Sequence, residues 1–520
     1  MRWLPLSVAV LAVPAVVGAI RLVMATQRPF DFFGDEAILE SAVRHVGEQL
    51  VGPYSRFGFH QPGAAYYYLQ APFYRLPGAS AAALFLGAYC INLGAALGCV
   101  LVVRRFFGES AARWAAVVVG ALLLCLTPRL VADAWNPYVL ALPVLFTMVL
   151  AGAGTRSPAA AGGAIVVGSY VVQTHVAAAA TLAAVFATAA LVAALHRLRT
   201  RPQSPTGAPP SRSASVRRWA APAATIVVLA LMWAPPLIEQ ATRSPGNLTK
   251  LTRFFRAMHP EFDRGIDHGV DHTAGQVAAQ LTVLPFGHDR EAKPAETVKV
   301  LLAVLGMAAG IGVAAAGWRR RETVIASLGA MSVVGPLVAI WSGTRIVGEI
   351  FPYLLLWTSS LLLPGAIAAG ALFLPPRRPG RALAGIAAGV VGFGLLLTMA
   401  RHPLRPYPSV TDVAAAASLA EPWLASRGVA HVRIGIAGHD RWPLASGIAV
   451  RLEKDGFTST VDQGWTSLFG EHFRPTNHEQ ATVWIADADG TPPPTEASPT
   501  PLGVVGDATV WASTSAIQTP

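Results

Sequence analysis

Charge is what this chain has least of. Only 13% of its 520 residues are Asp, Glu, Lys or Arg, against about 25% in an average soluble protein. Lysine is scarcest, with four residues: Lys250, Lys293, Lys299 and Lys454. The net charge of +11 is therefore an arginine charge. Those arginines gather in short loops between apolar runs, as topology determinants near lipid headgroups do. They form no basic stripe, which argues against a nucleic-acid partner. The three cysteines, Cys90, Cys99 and Cys125, all fall inside apolar runs. That excludes a disulfide framework or a cysteine-based zinc site and leaves them as packing residues. No nucleotide-cradling glycine loop is present, which weighs against an ATP-driven pump. No internal repeat is visible either, which weighs against a repeat-built transporter.

What the chain has in abundance is hydrophobic sequence: 53% of residues, with a mean hydropathy of +0.47. Apolar runs recur from end to end, and their lengths predict a polytopic helical membrane protein with about eleven spans. These are residues 5–25, 80–103, 114–130, 138–153, 159–174, 176–195, 220–237, 298–318, 324–341, 351–374 and 382–400. The first resembles a signal sequence, but no clean cleavage point follows, so it reads as a retained span. With the N-terminus in the cytoplasm, Arg2, Arg104, Arg105, Arg113, Arg156, Arg197, Arg199, Arg201, Arg319–Arg321, Arg377 and Arg378 all fall on one side. An odd number of spans then exports the tail. The expected membrane is the plasma or inner membrane. The predicted organisation is a membrane domain over 1–400 with outer loops at 26–78 and 239–297. An extracytoplasmic α/β domain follows over 401–520. HVRIGIAG and ATVWIAD read as its strands around a helical ASGIAVRLEKDG, and its end is a loose Pro/Thr-rich tail.

The acids concentrate at the first outer loop. FDFFGDEAILE places Asp31, Asp35 and Glu36 just beyond the first span. From Asp35 the pattern predicts an amphipathic helix with Ile38, Leu39, Ala42, Val43 and Val46 on one face. Glu36, Glu40, Arg44 and Glu48 form a charged stripe on the other, with Glu40 and Arg44 at pairing distance. Asp35 stands apart from that stripe, over the side the helix buries, where a carboxylate needs a partner or a task. The alternative is a helix-start acid favoured by the dipole. Further on, GPYSRFGFHQPGAAYYYLQAPFY supplies Arg56 and His60 as donors for a phosphate or sugar. Its tyrosines read as an interfacial belt.

Other polar residues cluster on the same side. ADAWNPYVL brings Asn136 to an outer corner, and GSYVVQTHVA brings His175 to the end of a hairpin. SGTRIVGEIFPYLLLW offers Arg345, whose planar guanidinium suits phosphate oxygens, with Glu349 as its alternative ion-pair partner. HPEFDRGIDHGVDHTAG collects His259, Glu261, Asp263, Asp267, His268, Asp271 and His272. That composition suits a divalent metal or a polar loop, so no cofactor is specified beyond that option.

The DEA of Asp35–Ala37, followed by the HQPG of His60–Gly63 opening a second juxtamembrane helix, resembles the glycosyltransferase-C superfamily. The chain is similar to the protein O-mannosyltransferases and the lipid A aminoarabinose transferase within it. HQPG departs from the more usual double-proline form. The resemblance implies a transferase that moves a sugar from a polyprenyl-phosphate donor to a hydroxyl on a cell-envelope glycan, lipid or protein. It implies inversion, with Asp35 as base. Asp35 and Glu36 are then the catalytic candidates, and Asp31, Arg56, His60, Asn136, His175 and Arg345 the substrate-binding ones. A transporter of lipid-linked glycans and a non-catalytic envelope-assembly protein are the competing readings.

Overall fold

The computed structural model describes residues 4–514 except 77, 79, 201–211, 258–268, 283–294, 374–377, 405–409, 489–492 and 494–497. In hydrocarbon a spanning segment must satisfy its own backbone, so the apolar runs fold as helices. Among the described residues nine helices are long and apolar enough to cross a membrane. Two features connect that number to the eleven apolar runs. The 50-residue helix Ala83–Ala132 breaks at Gly108, where φ is 82°, and so comprises two spans. The helix Pro158–Thr174, with 17 residues, falls just short of the length of those nine and is not counted among them. The protein is a multi-pass membrane protein. Its peripheral helices carry apolar side chains outward, such as Leu231 at 70% and Phe393 at 68% exposure, as lipid-facing surfaces require.

The helices that position the site are α1 (Leu6–Thr26), α2 (Asp35–Arg44), α3 (Ala65–Tyr74), α4 (Ala83–Ala132), α5 (Ala141–Gly154), α6 (Pro158–Thr174), α7 (Ala179–Arg199), α8 (Arg212–Thr242) and α9 (Asn247–Arg256). α2 and α3 are the two short helices of the loop between α1 and α4. α2 begins after Gly34, whose φ of 63° only glycine adopts without strain. Asp35 and Glu36 fill its first turn, while Leu39, Ala42 and Val43 are buried beneath it.

The C-terminal region forms a five-stranded sheet in the order β2-β1-β3-β5-β4. Its strands are β1 (His431–Ala437), β2 (Thr458–Val461), β3 (Ala481–Asp487), β4 (Thr500–Val505) and β5 (Ala508–Thr514). β1 pairs parallel with β2 and β3, whereas β5 pairs antiparallel with β3 and β4. The parallel β1–β2 pair needs a crossover, supplied by the helix Trp442–Lys454.

That crossover helix also docks the sheet onto the loop between α1 and α4. The Gly34 amide donates to the Pro443 carbonyl at 2.9 Å. A Cβ at Gly447 would lie 2.6 Å from the Phe32 carbonyl, so glycine permits the close approach. Asp31, buried, pairs with Arg451 and Lys454, both at 3.2 Å. Glu40 departs from its sequence-based place on a solvated stripe. It is 1% exposed, accepts from Tyr74 at 2.9 Å and pairs with Lys454 at 3.1 Å rather than with Arg44. Arg44 instead donates to the Glu453 carbonyl at 3.3 Å. Glu40 and Arg44 thus meet the C-terminal region rather than solvent, a long-range fact that helical periodicity cannot carry.

Candidate active site

Helix α2 starts at the rim of a cavity of about 450 Å³ lined by Asp35, Tyr54, Arg56, Tyr67, Trp135, Asn136, His175 and Tyr353. Trp442, Trp465 and Leu468 of the C-terminal domain complete the wall. Asp35 is open to this space, yet the surrounding protein withdraws water and raises its pKa above the usual carboxylate value. A hydrogen bond from the Trp135 side chain opposes part of that rise.

Trp135 is held in turn. Its amide donates to Asp133 Oδ1 at 2.9 Å, and its ring packs 4.5 Å from that of Tyr353. Asp133 is buried under the corner, and burial raises its pKa to about 7. The ADAWNP turn is thus a bracket that aims an indole at Asp35. The same turn places Asn136 in the wall, where its Nδ2 donates to the Thr174 carbonyl at 3.2 Å.

The HQPG segment braces the opposite side. Gln61 Oε1 accepts the Val176 amide at 2.8 Å, capping the break between α6 and α7 where His175 lies. A Cβ at Gly63 would sit 2.3 Å from Gln173 Oε1, so the segment reaches this corner only with glycine there. His175 is 6% exposed and lines the cavity. Neither ring nitrogen has a hydrogen-bond partner of sound geometry, the nearest protein group being the Leu354 backbone. Arg56 lies across aromatic faces, 5.0 Å from Phe57 and 5.5 Å from Phe351, an arrangement that holds a cation without neutralising it.

A second cavity of about 330 Å³ adjoins the first, sharing Ile38, Tyr54, Tyr67 and Leu468 in its lining. His60 lies here rather than beside Asp35. Its ring nitrogen Nε2 meets the Ser467 carbonyl at 3.0 Å, and its backbone exchanges hydrogen bonds with the Asn247 side chain at 2.8 and 2.9 Å. Burial pushes its pKa down to about 4, so it is neutral at pH 7 and offers no positive charge to a phosphate. The cations facing this cavity are Arg243 and Lys250, from the loop after α8 and from α9. A predominantly apolar groove of about 950 Å³ begins at Leu50, which it shares with the second cavity. It runs between the helices past Tyr68, Ile91, Phe146 and Leu231.

The structure thus brings Asp35, Arg56, Asn136 and His175 into one cavity, with His60 next door. Glu36 follows Asp35 on α2 without lining either cavity. Asp31 is at the junction with the C-terminal domain. Arg345 is exposed over the Trp341 ring at 5.7 Å, and its segment reaches the cavity through Tyr353 instead. Among the described residues no ion pair joins Arg345 to Glu349. Of the acidic-histidine cluster that follows α9, His259, Glu261, Asp263, Asp267 and His268 lie outside the described residues. Asp271 and His272 begin the helix Val270–Leu281.

No family model matches this chain, and no curated protein matches it in sequence. The comparison with solved structures is informative. The chain resembles ArnT from Cupriavidus metallidurans in the apo state, with a TM-score of 0.55 and 14% identity over 96% of this chain and 97% of that one. It also resembles ArnT from the same organism bound to undecaprenyl phosphate, with a TM-score of 0.55 and 14% identity over 98% of each chain. The likeness spans both the membrane helices and the C-terminal domain. At this identity the likeness establishes the fold alone: this chain and those structures share one architecture.

Proposed function

We propose that the protein is a glycosyltransferase that moves a sugar from a polyprenyl-phosphate donor to an acceptor hydroxyl at the outer face of the plasma membrane. In this reading the N-terminus is cytoplasmic and the C-terminal domain extracytoplasmic. The observation that carries it is Asp35. Its carboxylate faces an aromatic-walled cavity with an indole for a partner, and the way onward leads to an apolar groove. The solved neighbour bound to undecaprenyl phosphate supports the donor class.

The division of labour follows from three neighbouring spaces that share lining residues. The polyprenyl chain lies in the apolar groove, its phosphate meets Lys250 and Arg243 in the second cavity, and the sugar bridges toward Asp35. Asp35 removes the proton from the acceptor hydroxyl, whose oxygen forms a bond to the anomeric carbon. The bond from that carbon to the phosphate oxygen breaks, and the lipid phosphate leaves with the electron pair. Attack opposite the leaving group inverts the centre. A carboxylate whose basicity is raised is suited to this step, and fixed cations at the phosphate stabilise the departing charge. Arg56 and His175 sit on the acceptor side, where a guanidinium and an unpartnered imidazole bind sugar or phosphate oxygens. Glu36 orients α2 through its first turn and takes no part in proton transfer.

The test is turnover of radiolabelled polyprenyl-phosphate sugars by the purified protein in lipid nanodiscs with a cell-envelope extract. Transfer that depends on Asp35 supports the reading. Absence of transfer with every donor, alongside specific flux of a lipid-linked substrate, overturns it.

A further inference from the structure

A cluster apart from the Asp35 cavity has the make-up of a metal site. His45 at the end of α2, Glu453 on the crossover helix and His472 after the short helix Thr466–Phe469 converge at the junction of the first outer loop and the C-terminal domain. One donor atom from each lies within 4.8 Å of the other two. Tetrahedral donors on zinc, with Zn–N lengths of about 2.0–2.1 Å, stand about 3.3 Å apart, so movements of about 1 Å close the set on an ion.

The orientation of the rings is the stronger argument. The Ser41 carbonyl oxygen lies 3.1 Å from His45 Nδ1 and must accept its proton, leaving the lone pair on Nε2. The Ser41 hydroxyl meets His472 Nε2 at 2.7 Å. His472 Nδ1 is buried and has no hydrogen-bond partner. One serine therefore fixes both imidazoles, as outer-sphere partners of histidine ligands do. Glu453 Oε2 is also buried without a partner. A buried histidine nitrogen and a buried carboxylate oxygen, both unsatisfied and carried by residues of one cluster, are costly unless something binds them. The neighbouring charges are mixed: Glu40 and Glu48 favour a cation here and Arg44 opposes it.

We propose that His45, Glu453 and His472 bind one divalent transition metal ion of the zinc class, with a fourth position left for water. The ion staples the C-terminal domain to α2, the helix that begins with Asp35. Two imidazoles and one carboxylate at tetrahedral reach suit zinc better than magnesium or calcium, which favour all-oxygen shells. The proposal stands independently of the transferase reading, because metal content is measured without any substrate.

The experiment uses the full chain purified without a polyhistidine tag, incubated with Zn2+ alone, desalted and analysed by inductively coupled plasma mass spectrometry. The expected result is about one equivalent of zinc per chain, falling below about 0.1 in His45→Ala and His472→Ala. With Co2+ as the probe, visible ligand-field bands appear in the wild type and are absent from both variants. Ser41→Ala keeps all three donors and removes one orienting hydroxyl. It tests the site even if the histidine variants misfold, with an expected 10–100-fold weaker affinity. His268→Ala, in the second-loop cluster, retains the metal. The proposal fails if the wild type holds no zinc and shows no Co2+ bands. It fails equally if His268→Ala loses the metal while folded His472→Ala keeps it.

Discussion

Asp31 and Asp35 are four positions apart in one acidic stretch, and the fold treats them as opposites. Asp31 is buried against two cations, Arg451 and Lys454, and shares Lys454 with Glu40. Asp35 opens onto a cavity, has the Trp135 side chain as its hydrogen-bond donor and carries a raised pKa. A buried charge that is neutralised holds two domains together. A partly desolvated charge that is left without a cation retains its affinity for a proton. In the proposed function the first arrangement is structural and the second reactive, and the two should separate under mutation.

The largest effect should come from Asp35→Asn. Loss of a general base costs about 10²–10⁴-fold in turnover, so kcat should fall by that amount in the nanodisc assay. The thermal midpoint should not fall with it. A carboxylate whose folded-state pKa is raised gives up stability as pH rises from its unfolded pKa through its folded one. Removing it at pH 7 therefore relieves a penalty. Asp31→Asn should do the reverse, lowering the thermal midpoint while the surviving folded enzyme keeps most of its turnover. If Asp31→Asn abolishes turnover in fully folded protein, the comparison collapses and Asp31 belongs to the reaction.

Lys454→Ala presses harder on the structural side. It strips the cation from Glu40, which is 1% exposed. Breaking a buried pair from one side costs about 3 kcal/mol or somewhat more, read as a lower melting temperature and faster proteolysis of the C-terminal domain. Burial already raises the Glu40 pKa, and Lys454 and Tyr74 are what pull it back. Without the lysine the folded-state pKa rises further. The deficit should therefore be small below the unfolded pKa, where Glu40 is protonated in both states, and should grow as pH increases. A deficit that is flat across pH would show that the lysine acts through packing alone.

How much of this was legible beforehand depends on the range of the interaction. The spans, the short helix from Asp35 and the strands HVRIGIAG and ATVWIAD are local patterns, and each coincides with a described element. Asp35 was legible because it broke the charged stripe of its own helix. Asn136 and His175 were legible as polar residues stranded at the ends of apolar runs. Trp442 and Trp465 were not, because nothing local shows that a domain beginning hundreds of residues later supplies a cavity wall. Arg345 lies outside both cavity linings. The chain turns so that Tyr353 of the same segment reaches the first cavity, while Arg243 and Lys250 face the second one. The HQPG motif likewise owes its placement to distant contacts. Its Gln61 and Gly63 are structural braces, and its histidine is neutral.

Lys250 offers a milder test of the reactive side. If it meets the donor phosphate, Lys250→Ala should raise KM for the polyprenyl-phosphate sugar about tenfold, equivalent to about 1.4 kcal/mol. Arg243 remains to hold the leaving group, so kcat should change less. Arg345→Ala, by contrast, should leave KM for the donor unchanged. A rise in KM with Arg345→Ala and none with Lys250→Ala would return the phosphate to the site that the sequence first suggested.

The smallest effect is a displacement along the pH axis. Asp35 works only when deprotonated, so log(kcat/KM) should fall with unit slope as pH drops through its pKa in the free enzyme. Burial raises that pKa, so the acid limb should lie above the range of an ordinary aspartate. The Trp135 side chain opposes the rise by hydrogen-bonding the carboxylate, and Trp135→Phe removes that bond while keeping an aromatic ring in the wall. The limb should then move to still higher pH, and turnover well above it should change little. This outcome distinguishes a positioning residue from a catalytic one, since Trp135 acts through Asp35 and not on the substrate. A limb that stays in place in Trp135→Phe would mean that the indole does not govern the carboxylate. A limb that moves to lower pH would assign the titration to a different group.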